Sequence, residues 1–167
     1  MSELSELLDR MRVRVSVADG AVTGELHHHN QVDVAFAPGF YRRTTETVLA
    51  QHLTSLARLM RAQYVRQYYA AVGLAFGRTI TADPPAIGRQ DTEYAVRRQD
   101  LVAEGRSSDG RITITVRGMR SWRVHIAPGT TRTLDESQFV EQFGAAATAL
   151  IRNQFAGIRA LKNGIYG

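Results

Sequence analysis

The sequence contains no cysteine, which excludes disulfide bonds, thiolate metal sites and cysteine nucleophiles. Lysine is nearly absent as well, because Lys162 is the only lysine among 21 basic residues. No apolar run approaches the roughly 20 residues that a membrane-spanning helix requires. The first residues also lack the basic region and apolar run of a secretory signal. We therefore expect a cytoplasmic protein that does not associate with a membrane.

The composition is that of a globular protein. Of 167 residues, 44% are hydrophobic and 22% are charged, which predicts one ordinary domain or two small domains that share a core. The formal net charge of +5 would attract nucleic acid or an acidic partner. A charge of this size also fits an ordinary soluble domain, so charge alone does not decide between these interpretations.

The strongest pattern is an internal duplication, which appears when the sequence is shifted by ninety residues without gaps. Asp19-Gly20 then aligns with Asp109-Gly110, and Ala37-Pro38-Gly39 aligns with Ala127-Pro128-Gly129. The apolar positions between and after these motifs follow the same register. A turn dipeptide, a tripeptide and an apolar pattern in one register indicate two tandem repeats.

Each repeat is predicted to form a short helix, three antiparallel strands and a long helix. Ser2 and Thr92 are candidate N-caps of the two short helices. In the second repeat, the apolar residues assigned to that helix are Tyr94, Val96, Leu101 and Val102. Alternation of apolar and polar residues is clearest over 111–117. The Ala-Pro-Gly tripeptide ends the third strand, because proline cannot donate to a sheet ladder.

The closing helices are predicted over about 44–76 and 135–163, where apolar residues recur at helical spacing. The linker is assigned to 81–91, which contains two consecutive prolines. These boundaries divide the chain into repeats at 1–80 and 92–167. A three-stranded sheet with one long helix buries little apolar surface by itself. We therefore predict an α+β fold, in which two tandem α-β-β-β-α units with antiparallel sheets form a pseudo-twofold intramolecular dimer.

The second repeat contains Gly110, a strand at 111–117, Gly118 in the next hairpin, Ile126-Ala127-Pro128 and an acidic helix start at Asp135-Glu136. In these features it resembles the YbaB/EbfC family of bacterial nucleoid-associated proteins. The first repeat carries a fainter version of the same pattern. Together the resemblance covers most of both halves.

Members of this family are small homodimers that bind DNA, so the resemblance implies that both subunits lie on one polypeptide. It also implies duplex DNA as the partner. The chain departs from the family pattern at positions 37 and 127, where alanine stands in place of the usual aspartate, and in its scarcity of lysine. Some actinobacterial relatives of the fold are accessory proteins of type VII secretion, which implies a protein partner instead.

Exposed arginines are the candidate DNA contacts. In the second repeat, Arg111, Arg117 and Arg123 alternate out of the predicted strands, with Arg120 at the turn. In the first repeat, Arg10, Arg12 and Arg14 form a second basic run. The planar guanidinium group donates two hydrogen bonds to a phosphate, although a solvated sheet face would have the same composition. The corresponding outward residues of the first repeat include Glu25, His27 and Asp33, which argues against a symmetric DNA surface.

No catalytic, metal or cofactor site is predicted. His27-His28-His29 would send adjacent side chains to opposite faces of a strand, so a polar turn is favoured over a metal site. The serines, histidines and aspartates form no paired catalytic arrangement, and we expect that the chain is not an enzyme. The aromatic segment at 64–69 could stack bases, but burial of Tyr64 and Tyr68 against the other repeat, with Arg66 in solvent, is favoured.

Two functions therefore remain open. The first is a non-catalytic, nucleoid-associated DNA-binding protein. The alternative is a protein-interaction adaptor or chaperone, because Val72, Leu74 and Phe76 are apolar residues that a long helix could expose. The fused dimer could remain a monomer or pair again through a sheet edge.

Overall fold

The computed structural model describes residues 3–167, so the candidate N-cap Ser2 lies outside the described residues. The first repeat contains α1 (Glu3–Asp9), β1 (Val13–Val17), β2 (Val22–His27), β3 (Gln31–Phe36), α2 (Phe40–Arg43) and α3 (Glu46–Phe76). The second contains α4 (Gly88–Asp100), β4 (Val102–Arg106), β5 (Ile112–Arg117), β6 (Ser121–Ile126), α5 (Thr130–Thr133) and α6 (Glu136–Tyr166). From β2 and β5 onward, equivalent elements begin and end ninety residues apart.

The strands form two three-stranded antiparallel sheets, with the orders β1-β2-β3 and β4-β5-β6. This arrangement confirms the predicted α+β fold of two tandem units. The third strand of each sheet ends immediately before Ala-Pro-Gly, as predicted. Gly39 (φ 80°) and Gly129 (φ 83°) adopt the left-handed conformation there, which glycine tolerates without a steric penalty. After each glycine the chain forms a one-turn helix, α2 or α5, which was not predicted from the sequence pattern.

A single hydrophobic core contains residues from both repeats. Its largest fully buried side chains include Leu49, Leu53 and Leu56 from α3 and Phe139 from α6. Burial of one such side chain contributes about 1.5–3 kcal/mol. The apolar faces predicted for the long helices are therefore confirmed, except that the last predicted position of each, Tyr64 on α3 and Ile158 on α6, is only partly buried.

The two repeats interlock. Helix α3 packs on β1 and β2 of its own sheet and on β6 of the other sheet, whereas α6 packs on β4, β5 and β3. Side chains of each helix also bond to the other sheet: the Val124 backbone N–H donates to Thr54 Oγ1 (3.2 Å), and Thr148 Oγ1 donates to the Asn30 carbonyl (2.7 Å). This reciprocity gives the chain its approximate internal twofold.

Tyr41 joins the repeats at their junction. Its side chain is 4% exposed, its hydroxyl donates to the Leu134 carbonyl oxygen (2.8 Å), and its ring centroid lies 5.3 Å from that of Phe139. Burial, followed by nearby carboxylates, raises the pKa of Tyr41 to about 12. Beside it, Glu46 Oε1 accepts hydrogen bonds from the backbone N–H (3.1 Å) and the hydroxyl (3.0 Å) of Thr131.

The closest approach of helix to sheet in the second repeat lies at Gly105 on β4. A Cβ atom at this position would overlap the carbonyl oxygen of Ala146 and the backbone nitrogen of Leu150. Helix α6 therefore lies directly on the backbone of β4. The cross-strand partner of Gly105 is the larger residue Ile114.

The first repeat places its glycine on the other strand of the pair. Gly24 on β2 stands opposite Val15 on β1, so the small and large positions are exchanged relative to the second repeat. A Cβ at Gly24 would lie 2.8 Å from Leu56 Cδ2 and 2.8 Å from Met60 Cε. Helix α3 thus meets its sheet through the ends of side chains rather than through its backbone.

The predicted start of the second short helix was wrong. Helix α4 begins at Gly88, so Thr92 is not its N-cap, and the Thr92 hydroxyl donates to the Gly88 carbonyl (2.9 Å) within the helix. The backbone N–H of Ile87, the residue before the helix, donates instead to Asp91 Oδ2 (3.1 Å). The last four residues of the predicted linker at 81–91 are consequently helical.

The end of α4 also differs from the prediction. Leu101 follows the helix as its C-cap, and Val102 is the first residue of β4, so neither belongs to the apolar face of a helix. Leu101 instead lies below α6, where a Cβ at Gly157 would be 3.1 Å from Leu101 Cδ1. Tertiary contact with α6, which the local pattern does not encode, accounts for the difference.

Both ends of α6 are secured by side-chain hydrogen bonds. Asp135 and Gln138 form a reciprocal capping box at its start, which satisfies two free backbone donors. The helix continues to Tyr166, beyond the predicted range of 135–163. The Tyr166 hydroxyl donates to Asp91 Oδ1 (2.7 Å) and thereby ties the helix end to α4. None of the helices within residues 3–167 is long and apolar enough to cross a membrane.

Candidate nucleic-acid interface

The β5–β6 hairpin carries the four candidate arginines of the second repeat. Arg111 immediately precedes β5, Arg117 ends it, and Arg120 lies in the turn before β6. Arg123 stands opposite Thr115 on the face of the sheet that points away from the core. Since β-strand side chains alternate between faces, Arg117 and Arg123 share that outward face.

The charge of this hairpin is entirely positive. Residues 111–126 contain four arginines and no aspartate, glutamate or lysine, so their formal charge is +4 − 0 = +4. The equivalent residues 21–36 of the first repeat contain Glu25 and Asp33 but no arginine or lysine, so their formal charge is 0 − 2 = −2 with neutral histidines. Two hairpins of the same shape therefore carry opposite charges.

Two of these arginines are paired with carboxylates from outside the hairpin. Arg117 Nη2 lies 2.6 Å from Asp100 Oδ1 at the end of α4, and Arg111 Nε lies 3.7 Å from Asp109 Oδ2. Both side chains of the Arg117–Asp100 pair are 63% exposed. Because an exposed ion pair contributes at most about 1 kcal/mol, a phosphate could take the place of Asp100 at little cost.

Arg120 and Arg123 are the free cations of the hairpin. Both side chains are exposed, and neither guanidinium group makes a hydrogen bond or an ion pair to a residue from Glu3 to Gly167. No internal interaction has to be broken before these two guanidinium groups can bind an anion.

The basic run of the first repeat is placed less favourably. Arg12 Nη1 lies 3.4 Å from Glu25 Oε1, and Arg14 stands opposite the same glutamate in the register of β1 and β2. Arg10 lies outside the sheet and donates from Nε to the Glu6 carbonyl (3.3 Å). A carboxylate at the centre of this surface offsets part of its positive potential.

His28 and His29 lie in the turn between β2 and β3, as predicted, whereas His27 is the last residue of β2 and pairs with Gln31. His28 (φ 49°) and His29 (φ 67°) adopt left-handed conformations. His27 Nε2 lies 2.6 Å from Asp33 Oδ2, and His29 Nε2 pairs with Asp9 Oδ1. The described part of the chain contains no group of three side chains that could hold a metal ion.

Among the three tyrosines of the segment at 64–69, only Tyr64 packs against the hydrophobic core, whereas Tyr68, also predicted to be buried, and Tyr69 are partly exposed. Tyr64 is partly buried against the core, and its ring centroid lies 6.2 Å from that of Tyr68. Arg66 is exposed, as expected. Burial raises the pKa of Tyr64, which agrees with a hydroxyl withdrawn from water.

One polar side chain in the core was not recognised from the sequence. Gln154 follows Leu150 by four residues on α6, so it lies on the buried face of the helix. It is 7% exposed, and its Oε1 atom has no hydrogen-bond partner within the described residues. A polar residue that continues an apolar helical stripe is the sequence signal that could have identified it.

No protein-family model, curated protein or solved structure matches this chain.

Proposed function

We propose that the chain is a non-catalytic, nucleoid-associated-like protein that binds the backbone of duplex DNA through the arginines of the β5–β6 hairpin. The supporting observation is the charge of this hairpin, which has four arginines and no carboxylate within residues 111–126. Arg120 and Arg123 are exposed and without internal partners among the described residues. The motifs shared with the YbaB/EbfC family favour DNA as the anionic polymer.

Phosphate contacts of this kind predict strong salt dependence without sequence selectivity. If all four arginines contact phosphates, the slope of log affinity against log salt is about −3.6, and affinity falls about 150-fold between about 50 and 200 mM salt. Contacts to phosphates fix the position of a protein on the duplex but carry no base information. Duplexes of different sequence should therefore bind with similar affinity.

DNA would engage only one of the two repeats in this proposal. Glu25 and Asp33 on the first sheet would repel the phosphates that the second sheet attracts. The pseudo-twofold of the fold therefore does not extend to the binding surface, in contrast to a homodimer whose two faces are identical.

The test is a fluorescence-anisotropy titration of labelled duplex DNA over a range of salt concentrations. The variant Arg120→Gln/Arg123→Gln should bind more weakly, and its salt slope should be less negative by about 1.8. The control variant Arg12→Gln/Arg14→Gln removes the same charge from the first sheet and should change the slope little. The proposal fails if DNA does not bind at low salt or if both double variants lose affinity equally.

A second candidate, a protein-interaction adaptor or chaperone such as one serving type VII secretion, is favoured by a different surface. Leu74 and Phe76, at the end of α3, are 72% and 65% exposed. Contiguous exposed apolar patches mark protein-binding sites, and this candidate requires that Leu74 and Phe76 belong to such a patch. This candidate predicts a protein that co-purifies after nuclease treatment and is lost with Leu74→Ser/Phe76→Ser. Leu59→Ser, at a 38% exposed position on the same helix, should retain the partner.

A further inference from the structure

An apolar groove lies between the two repeats and is open to solvent along one side. Side chains from both repeats form its wall, among them Leu56 and Met60 from α3, Leu150 and Phe155 from α6, and Trp122 from β6. Because strand side chains alternate between faces, Trp122 lies on the opposite face of the sheet from its neighbour Arg123. Occupation of the groove is therefore separate from DNA binding by the hairpin arginines.

Two donors of the groove wall have no internal acceptor. Arg61 and Tyr64 both line the groove, and the guanidinium of Arg61 lies over the Tyr64 ring, 5.5 Å from its centroid. Neither this guanidinium nor the Tyr64 hydroxyl makes a hydrogen bond or an ion pair within residues 3–167. Unlike the amide oxygen of Gln154, the polar atoms of both side chains retain accessible surface, so a ligand in the groove can reach them.

The surroundings of Arg61 favour an added negative charge. Burial lowers the pKa of this guanidinium, and the neighbouring cation Arg98 acts on it more strongly than the carboxylate of Asp83 does. A partly buried cation that lacks a paired carboxylate is stabilised when an anion binds to it. The histidine of the groove wall, His29, is already paired with Asp9, which leaves Arg61 as the group that can receive an anion.

An apolar wall that carries an unpaired guanidinium and an unpaired hydroxyl matches a ligand with an apolar chain and an anionic end. We propose that the groove binds an alkyl carboxylate, a molecule of the fatty-acid type, whose carboxylate accepts hydrogen bonds from Arg61 and Tyr64. Its chain lies along the apolar side chains of both repeats, where the flexible methionines Met60 and Met119 adapt to its shape. Such a ligand bridges the repeats and stabilises their interlocked arrangement.

Octanoate and octanol are matched probes for this groove, since their chains are equally long and only octanoate is charged. Trp122 is the only tryptophan of the chain and lines the groove, so its fluorescence reports occupancy. Octanoate should change this fluorescence saturably and raise the thermal unfolding temperature. The absence of a saturable response to octanoate would overturn the proposal.

The variant Arg61→Gln tests the recognition of the carboxylate, and Arg66→Gln is its control. In Arg61→Gln, the ratio of octanoate affinity to octanol affinity should fall on the order of tenfold, because a charge-assisted hydrogen bond is lost. Arg66 is exposed on the same helix and is not part of the groove wall, so Arg66→Gln should keep the native ratio. A native ratio in Arg61→Gln, or an equal decrease in both variants, would refute the proposed ligand class.

Truncation of the groove wall tests where the chain of the ligand lies. Phe155 lines the groove but is 52% exposed, so Phe155→Ala removes part of the wall without emptying the core. This variant should bind octanoate and octanol more weakly by a similar factor, because both lose the same apolar contact. Leu59→Ala, at an exposed position outside the groove wall, should retain native affinity for both. Native affinity for both ligands in Phe155→Ala would place the chain elsewhere and reject the assignment.

Discussion

The contact between α6 and β4 predicts that a single methyl group at Gly105 will destabilise the protein. Gly105→Ala directs its Cβ atom into the backbone of α6, at the Ala146 carbonyl oxygen and the Leu150 nitrogen. The end of a side chain can avoid a new methyl group by changing its rotamer, but backbone atoms cannot. Either the helix or the strand must therefore shift. The substitution therefore tests directly whether α6 lies on the backbone of β4.

The expected loss can be estimated from the cost of overpacking. Extra carbon atoms in a well-packed core cost about 1–3 kcal/mol, while replacement of glycine by alanine returns about 0.4–1 kcal/mol through the unfolded chain. Because the overlap at Gly105 is with backbone atoms, the overpacking cost lies in the upper half of its range, and the net destabilisation is about 1–2.5 kcal/mol. For a chain of this length, that corresponds to a decrease in Tm of about 2–10 °C.

Thermal and urea unfolding, followed by circular dichroism, measure this loss, and two glycines provide controls. Gly164 lies on α6 with no neighbouring atom within 4 Å, so Gly164→Ala should stabilise the helix by up to about 1 kcal/mol. Gly24→Ala meets only the ends of the Leu56 and Met60 side chains and should cost less than Gly105→Ala. A Gly105→Ala variant as stable as the native protein would refute the direct contact.

Three further changes test other parts of the structure. Tyr41→Phe removes the hydrogen bond to the Leu134 carbonyl and should lower the free energy of unfolding by about 1 kcal/mol at neutral pH. Because the folded pKa of Tyr41 is raised to about 12 from 10.0, the native protein should lose stability as pH rises from about 10 to 12, by at most about 1.4 kcal/mol per pH unit. Urea titrations should show a smaller decrease for the variant, and equal slopes would contradict the burial of this hydroxyl. Asp135→Ala removes the capping box of α6 and should cost about 1 kcal/mol in chemical denaturation, whereas Asp135→Ser should recover most of it. Thr54→Val leaves the Val124 backbone N–H without its acceptor and should cost about 1–3 kcal/mol, and a neutral effect would show that this bond between the repeats is not formed.

The repeated architecture could be predicted from the sequence because its signals are local. The strand alternation over 111–117 and the Ala-Pro-Gly tripeptides depend on neighbouring residues, and they marked strands and strand ends correctly. The start of α4 could not be predicted, because its N-cap is Ile87, which provides no side-chain cap, and its first residue is Gly88. The polar residues that resemble a cap, Asp91 and Thr92, lie inside the helix.

Contacts between segments that are distant in the sequence could not be predicted from the local pattern of apolar and polar residues. A periodic helix shows which face is buried but not what it is buried against, so α6 gave no indication that Gly105 would lie beneath its backbone. The buried position of Gln154 escaped prediction for the same reason, since the pattern of α6 does not show which segments cover its side chain. The arginines of the hairpin were identified correctly as outward-facing, but the acidic partner Asp100 lies outside the segment in which they occur.

The duplication also explains why the two outward surfaces differ while the buried ones correspond. Buried side chains that stand opposite each other on neighbouring strands share one space in the core. A small residue at one position is therefore matched by a larger residue opposite, as in the exchanged pairs Val15–Gly24 and Gly105–Ile114. Outward-facing residues carry no such constraint, because they contact solvent.

The opposite charges of the two hairpins have a consequence for any binding measurement. The basic hairpin of one molecule could contact the acidic hairpin of another in a head-to-tail arrangement that does not close on itself, and low salt would strengthen it as it strengthens DNA binding. Glu25→Gln/Asp33→Asn removes the acidic surface and leaves Arg120 and Arg123 in place. If self-association competes with DNA for the basic hairpin, this variant must bind labelled duplex DNA more tightly than the native chain, since no acidic hairpin remains to occupy Arg120 and Arg123. Equal affinity at low salt would show that the two hairpins do not associate between molecules.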